Sequence, residues 1–174
     1  MGYEEHKTLS KDTPVKCAVI TVSDTRTEDT DKSGKLIKAL VTETGHTIDA
    51  YHIVPDEPVQ ISQLLDTLSE SVDVILLNGG TGISARDNTF EAVSGKLEKT
   101  LPGFGEIFRV LSYEEIGAGA MLSRATAGLF RQTLVFSMPG STNAVRLAME
   151  KLIVPELSHL VWEIIRQHAL RSEE

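Results

Sequence analysis

The chain has 174 residues, of which 41% are hydrophobic, and this size and composition fit one domain with a single core. Its formal net charge is -8, and the absence of any block of lysine or arginine argues against a nucleic-acid partner. The chain has one cysteine, Cys17, which excludes a disulfide framework. Because Cys17 lies in an apolar run, we expect a buried, inert thiol.

The N-terminal segment is polar and charged, and it lacks the continuous apolar stretch of a signal peptide. We predict a disordered or arm-like tail over residues 1–14 and a single domain over residues 15–170. The longest apolar stretches have the length of strands, so we expect a cytoplasmic protein with no membrane partner.

The first half of the chain alternates between strand and helix patterns. "KCAVITVSD" (16–24) is a β-branched run with the length of a strand buried on both faces. The helix that follows has Asp31 or Ser33 as its possible cap and Gly45 as its stop. "HTIDAYHIVPDEP" predicts a second strand that ends at Pro55, and a second amphipathic helix comes after it.

The third strand, "VDVILLNGG" (72–80), is the most apolar, and Asn88 and Glu91 give the next helix the spacing of a capping box. This alternation predicts right-handed crossovers and a largely parallel sheet covered on both faces. Ligands of such sheets bind at the carboxyl ends of the strands. The loop after Ser23, the "VPDEP" loop and the glycine loop should therefore meet around one crevice.

From residue 102 onward the pattern changes. "GFGEIFRVLSYEEIG" (103–117) is typical of a helix. Two short apolar runs around Arg131 and Gln132 then favour a hairpin appended to the sheet. Pro155 is expected to split the C-terminal pattern into two helices.

The stretch "NGGTGISARDNTFEAV" (78–93) carries the strongest chemical signal. Its glycines permit a sharp bend that exposes backbone N–H groups at a helix start, which predicts an anion site. Gly80, Gly82 and Ala85 match the dinucleotide fingerprint by letter, but they follow the third strand instead of the first. A glycine turn that only lets a helix pack closely on its strand remains the alternative.

Two carboxylates strengthen the anion-site interpretation. Asp87 stands at a helix start, where an aspartate is most often a cap, but a cap at Asn88 would leave Asp87 available for Mg²⁺. Asp56 follows the second strand and should reach the same crevice. Two carboxylates beside a glycine loop suit a magnesium-bound polyphosphate.

With "TVSDTRTEDTDKSG", "NGGTGISARDNTFEAV", "AMLSR" and "SMPGSTNAV" in order, residues 15–168 resemble the molybdenum cofactor biosynthesis family that includes MogA and MoaB, most closely the MoaB branch. The resemblance implies a three-layer α/β/α domain with a mostly parallel sheet that assembles as a trimer or a hexamer. It also implies binding of molybdopterin and ATP, and adenylylation of molybdopterin with Mg²⁺ bound and pyrophosphate leaving. Other molybdenum cofactor biosynthesis proteins are the further partners that it implies.

The resemblance also implies the site residues. Asp56 and Asp87 match the family's acidic pair at the magnesium and phosphate site, as its catalytic residues. The positions matching its substrate and nucleotide loops are Ser23, Asp24, Gly79, Gly80, Thr81, Gly82, Arg86, Ser112, Ser123, Arg124, Ser137, Pro139, Gly140 and Ser141. Ser123 and the Pro139-Gly140 pair are also compatible with purely structural turns.

Two departures from the family pattern, at Ser84-Ala85 and at Ser141-Thr142, bear on nucleotide affinity. Two other functions therefore stay open from the sequence. One is a non-catalytic paralogue that binds molybdopterin and hands it on. The other is a nucleotide-binding regulator or dehydrogenase on a Rossmann-like sheet.

Overall fold

The computed structural model describes residues 7–8 and 13–172, with side chains through residue 164. The tail predicted for residues 1–14 therefore lies mostly outside the described residues. The strands are β1 (Lys16–Val22), β2 (Thr47–Val54), β3 (Val74–Asn78), β4 (Lys99–Thr100), β5 (Thr126–Phe130) and β6 (Thr133–Met138). The helices are α1 (Lys32–Glu43), α2 (Pro58–Leu68), α3 (Thr89–Ser94), α4 (Pro102–Ile116), α5 (Thr142–Ala148) and α6 (Val154–Ser172), with a 3₁₀ helix over Gly117–Leu122 and a π-helical segment over Met149–Ile153. None of these helices is long and apolar enough to cross a membrane.

The strands form one six-stranded sheet in the order β2-β1-β3-β6-β5-β4. β2, β1, β3 and β6 run parallel, whereas β5 pairs antiparallel with β6, and β4 with β5. The mostly parallel sheet with an antiparallel hairpin is therefore confirmed. β3 and β6 are buried along their whole length, as expected of strands that are covered on both faces.

Helices cover the two faces of this sheet and make three layers. On one face, Val19 of β1 and Leu76 of β3 share a core with apolar side chains of α1, α4, α5 and α6. On the other, Ile20 and Leu77 share a second core with α2 and α3. Cys17 is fully buried in the first core, where burial, followed by the nearby acidic side chains, raises the pKa of its thiol to about 12. The predicted burial of the thiol is confirmed, and a raised pKa favours the protonated, less reactive form.

The start and stop of α1 follow the predicted signals. The Asp31 carboxylate accepts the N–H of Gly34 at 3.0 Å, which decides between the two candidate caps. Ser33 has another partner, because its hydroxyl donates to the carbonyl oxygen of Gly140 at 2.8 Å. Gly45 follows the helix with φ 86°, a conformation that favours glycine.

The split expected at Pro155 is confirmed only in part, because two α-helices are present but no break separates them. α5, the π-helical segment and α6 follow one another without a break, so the chain stays helical through Pro155. A proline lacks an N–H and its ring crowds the carbonyl of the preceding turn. Pro155 is the second residue of α6, in a first turn where a missing N–H is tolerated, and the wider turn of the π segment Met149–Ile153 precedes it.

Candidate functional site

The loops that follow β1, β2 and β3 meet at one edge of the sheet, as the strand pattern predicts. The Asp24 carboxylate accepts the N–H of Asp56 at 3.2 Å. The Arg86 guanidinium donates to both oxygens of Asp24 at 2.8 and 2.9 Å, and to Glu57 at 2.8 Å. These bonds connect all three loops at the mouth of the site.

The Arg86 cluster is exposed, so its ion pairs add little to stability, but they set the charges at this edge. Its hydrogen bonds hold the pKa of Asp24 below the usual range of an aspartate. The same bonds raise the pKa of Arg86 further above its already high value. Both groups are therefore charged throughout the neutral range.

The glycine loop needs its first two glycines for conformation and for space. Gly79 and Gly80 have φ values of 104° and 66°, which side chains rarely adopt. A Cβ on Gly79 would lie 2.2 Å from the carbonyl oxygen of Val22, at the end of β1. A Cβ on Gly80 would lie 2.1 Å from Oγ1 of Thr89 and 2.3 Å from Oδ2 of Asp56. At this bend the glycine loop thus packs closely on the end of β1 and also approaches the carboxylate of Asp56.

The two predicted catalytic carboxylates flank this loop. Asp56 is 6% exposed, and its Oδ1 accepts the N–H of Asn88 at 3.1 Å. Asp87 accepts the N–H of Ser84 at 2.9 Å, and its Oδ2 lies 2.8 Å from where a Cβ of Gly82 would be. Burial raises the pKa of Asp56 against the lowering effect of the Asn88 N–H, and the charge of Asp87 adds to the rise. A cation between these carboxylates would relieve that unfavourable charge.

The predicted capping box is wrong. Asn88 precedes α3, but its side chain donates to the carbonyl oxygen of Arg86 at 3.1 Å and makes no cap bond. The Glu91 carboxylate binds the guanidinium of Arg124 instead, which holds the pKa of Glu91 below its usual range. Arg124 lies 33 residues further along the chain, so this competing partner is invisible in the local sequence.

A cavity of about 300 Å³ lies between the glycine loop and the loop that follows β6. The predicted residues that line it together are Gly80, Thr81, Gly82, Asp87, Ser112, Ser123, Pro139, Gly140 and Ser141. Gly119 and five apolar residues complete the wall, and sequence reasoning did not single them out; the apolar residues are Phe108, Ile116, Ala120, Leu122 and Ala144. The cavity thus joins backbone and hydroxyl groups to an apolar surface, a combination that suits a ring system bearing phosphate.

The other predicted site residues lie around the cavity without lining it. Asp24 and Arg86 form the ion pair at the mouth. The Arg124 guanidinium supports the glycine loop from behind, donating to the carbonyls of Gly82 and Asp87 at 2.9 Å each. Four further members do not line it either. Asp56 lies behind the wall beside Gly80, and Gly79 packs against β1. The Ser23 hydroxyl oxygen accepts the N–H of Arg26, and Ser137 is fully buried in β6.

Sequence reasoning missed two residues of this region. Arg26 donates from Nη2 to the carbonyl oxygen of Gly140 at 2.8 Å. Thr89 is buried, and its Oγ1 lacks a hydrogen-bond partner among the described residues. The only signal for Arg26 was a single basic residue in the acidic stretch "SDTRTEDTD". No local pattern distinguishes Thr89.

Asp56→Asn is expected to raise the melting temperature at pH 7. Because the folded-state pKa of Asp56 is raised, its ionised form lowers stability above that pKa, and stability returns as the pH falls through it. Asparagine keeps an oxygen for the N–H of Asn88 and removes the charge. Thermal unfolding across a pH series should show a difference from wild type that shrinks in acid. A melting temperature of Asp56→Asn equal to or lower than that of wild type at pH 7 would contradict the prediction. Asp49→Asn, on the exposed side of β2, is the control.

Comparison with known proteins gives a consistent result. A family model described as "Probable molybdopterin binding domain" matches residues 18–159. The chain is 58% identical over 167 residues to the Molybdenum cofactor biosynthesis protein B of Bacillus subtilis, covering 94% of this chain and 98% of that protein.

Two solved structures show the same fold. The tungsten cofactor synthesizing protein MoaB from Pyrococcus furiosus is 40% identical with a TM-score of 0.79, covering 87% of this chain and 98% of that one. The molybdopterin biosynthesis Mog protein from Mycobacterium ulcerans is 28% identical with a TM-score of 0.79, covering 88% and 99%. The three-layer architecture is confirmed, and the chain belongs to the MoaB/MogA family of molybdenum cofactor biosynthesis proteins.

Proposed function

We propose that this cytoplasmic protein binds molybdopterin in the cavity and transfers AMP to it from Mg-ATP. The observation that carries the proposal is the cavity between the glycine loop and residues 139–141, with Asp87 in its wall. The family and the names of its relatives support a role in molybdenum cofactor biosynthesis. The apolar side chains of Phe108 and Leu122 would contact the flat pterin, and the loops would bind phosphate.

The reaction is a transfer of one nucleotidyl group. An oxygen of the terminal phosphate of molybdopterin attacks the α-phosphorus of ATP and forms a new P–O bond. The bond from that phosphorus to the bridging oxygen breaks, and pyrophosphate leaves with the electron pair. No covalent bond to the protein is needed, so orientation by the two loops and electrostatic stabilisation supply most of the rate.

Asp56 and Asp87 are the residues that would hold Mg²⁺. Their fit rests on the position of both carboxylates beside the glycine loop, Asp56 at Gly80 and Asp87 at Gly82. No cluster of three or more His, Cys, Asp or Glu side chains in the described part of the chain could hold a metal ion. Mg²⁺ is usually held by one or two carboxylates, with phosphate and water oxygens completing its shell. When bound, the ion offsets the charge of the reacting phosphates.

Purified protein with molybdopterin, ATP and Mg²⁺ tests the proposal. We expect release of pyrophosphate and formation of adenylylated molybdopterin, both followed by chromatography. Binding of molybdopterin without pyrophosphate release would favour the carrier alternative. Affinity for NAD in the absence of the pterin would favour the Rossmann-like alternative.

We also propose that the protein assembles as a trimer or a hexamer through the outer face of α4. Ile107, Val110 and Tyr113 are more than half exposed there, a row of large side chains that a partner surface would cover. Light scattering should give the mass of three or six chains, whereas a mass near 19.0 kDa would contradict this proposal.

A further inference from the structure

The side chain of Arg26 contacts three parts of the fold at once. Its Nη2 donates to the carbonyl oxygen of Gly140, in the loop after β6, at 2.8 Å. Its Nη1 lies 3.4 Å from Oδ1 of Asn78, at the end of β3, and 3.5 Å from Oδ1 of Asp31, the cap of α1. One guanidinium thus connects the start of α1 with the two strands whose loops form the cavity.

Asp31 holds this guanidinium in place. Its carboxylate is fully buried and accepts hydrogen bonds from the Thr21 hydroxyl at 2.5 Å and the Tyr51 hydroxyl at 2.7 Å. Burial by itself would raise the pKa of Asp31, but these bonds, with the N–H of Gly34, keep it below its usual range. Asp31 is therefore a fixed negative charge at the base of Arg26.

The glycine in "DKSG" is a requirement of this network. A Cβ on Gly34 would lie 2.2 Å from Oδ2 of Asp31 and 2.9 Å from Oγ1 of Thr21. Any side chain at position 34 would push the carboxylate away from its donors. The stretch "TVSDTRTEDTDKSG", which the cavity lining does not account for, thus acquires a physical role.

The network fixes the orientation of one peptide group. The Gly140 carbonyl accepts from Arg26 and also from the Ser33 hydroxyl at 2.8 Å. Because a trans peptide is planar, the N–H of Ser141 points away from these two donors. Gly140 also packs closely on the first loop, since a Cβ there would lie 3.1 Å from Cα of Gly79. A shift of this peptide would change the separation of the two loops.

We propose that Arg26 is a positioning residue for the phosphate side of the cavity. By holding the Gly140 carbonyl, it sets the separation of the two loops and presents the N–H of Ser141 to a phosphate oxygen of the nucleotide. Arg26 acts through the loop and need not touch the ligand. The inference rests on the proposed function for its ligand, although the positioning can be measured without turnover.

Arg26→Ala is expected to lower kcat for AMP transfer about 100-fold, with a smaller change in KM, because a small displacement of aligned groups has a large effect on rate. Added guanidinium ion should restore part of the rate. Arg26→Lys should not, because a lysine ammonium cannot reproduce the planar fork that contacts Gly140 and Asn78 together. The matched control is Arg109→Ala, since Arg109 also donates to a backbone carbonyl, but that carbonyl belongs to Ala125, which does not line the cavity.

Hydrogen exchange provides a readout that is independent of turnover. The N–H groups of Ala144 and Val145 donate to the side chain and the carbonyl oxygen of Ser141 at 3.2 and 2.9 Å. The exchange rates of both N–H groups should rise in Arg26→Ala and should equal the wild-type rates in Arg109→Ala. Faster exchange with no AMP transfer by the wild type would support the positioning and refute the proposed function. Unchanged exchange rates in Arg26→Ala would overturn the inference. It would also be overturned if guanidinium did not restore the lost turnover and the loss matched a lower melting temperature.

Discussion

Asp87→Asn is expected to abolish AMP transfer while leaving the fold and molybdopterin binding nearly intact. Asparagine has the shape of aspartate and keeps an oxygen that can accept the N–H of Ser84. It loses the negative charge that, in our proposal, holds Mg²⁺ against the phosphates. Removing such electrostatic stabilisation should lower kcat by at least about 10³-fold, or roughly 4 kcal/mol of activation free energy.

The measurement is pyrophosphate release under single-turnover conditions, with molybdopterin binding followed separately by fluorescence. Asp49→Asn is the matched control, because Asp49 is exposed on β2 and its carboxylate accepts the hydroxyl of Thr47, away from the glycine loop. An Asp87→Asn variant with undiminished turnover would refute the role of Asp87. Equal losses of pterin binding and turnover would make Asp87 a binding residue instead.

Gly79→Ala is expected to lower the free energy of unfolding by more than about 4 kcal/mol, which only severe local conflicts produce. Gly79 has φ 104°, and a Cβ there would lie 2.2 Å from the carbonyl oxygen of Val22. That oxygen belongs to the backbone at the end of β1, so no side-chain rotation relieves the contact. β1 and the glycine loop would have to separate.

Two other glycines isolate the cause of this effect. Gly45→Ala has the same kind of strain, with φ 86°, but open space around the new Cβ, so a cost of about 1 kcal/mol is expected. Gly103→Ala has neither strain nor a neighbour within 4 Å and should be neutral or slightly stabilising. Urea unfolding of the three variants measures the difference. A Gly79→Ala variant no less stable than Gly45→Ala would show that the loop moves away from β1 at little cost.

Local patterns were sufficient for most of the fold. The β-branched run at 16–24 and the apolar run at 72–80 predicted central strands, and the structure has β1 and β3 there. β4 was missed because Lys99–Thr100 is too short to show a period of two. The continuous helix at Pro155 was missed because the π segment that precedes it has no signature in the sequence.

Some residues of the candidate site can be predicted from local sequence, whereas others depend on contacts with distant parts of the chain. The glycines and Asp87 could be found from the residues alone, since their chemistry is local to one turn. Ser112 and Ser123 came only from the family resemblance, because nothing in the sequence shows that α4 and the 3₁₀ helix close the cavity. Arg26 escaped because its partner Gly140 lies 114 residues away. Asn88 was misassigned for the same reason, since distant residues bind the groups that a capping box would use.

The pairing of β3 with β6 has a consequence for how the protein forms on the ribosome. Asn78 lies opposite Met138, so the two loops of the cavity are adjacent in space and 60 positions apart in the chain. Until residue 138 has emerged, one edge of β3 has no neighbour, and its apolar side chains are incompletely covered. A truncated or stalled chain that ends before β6 would therefore expose this edge and tend to aggregate. The cavity between the two loops therefore forms late in synthesis, after most of the chain is complete.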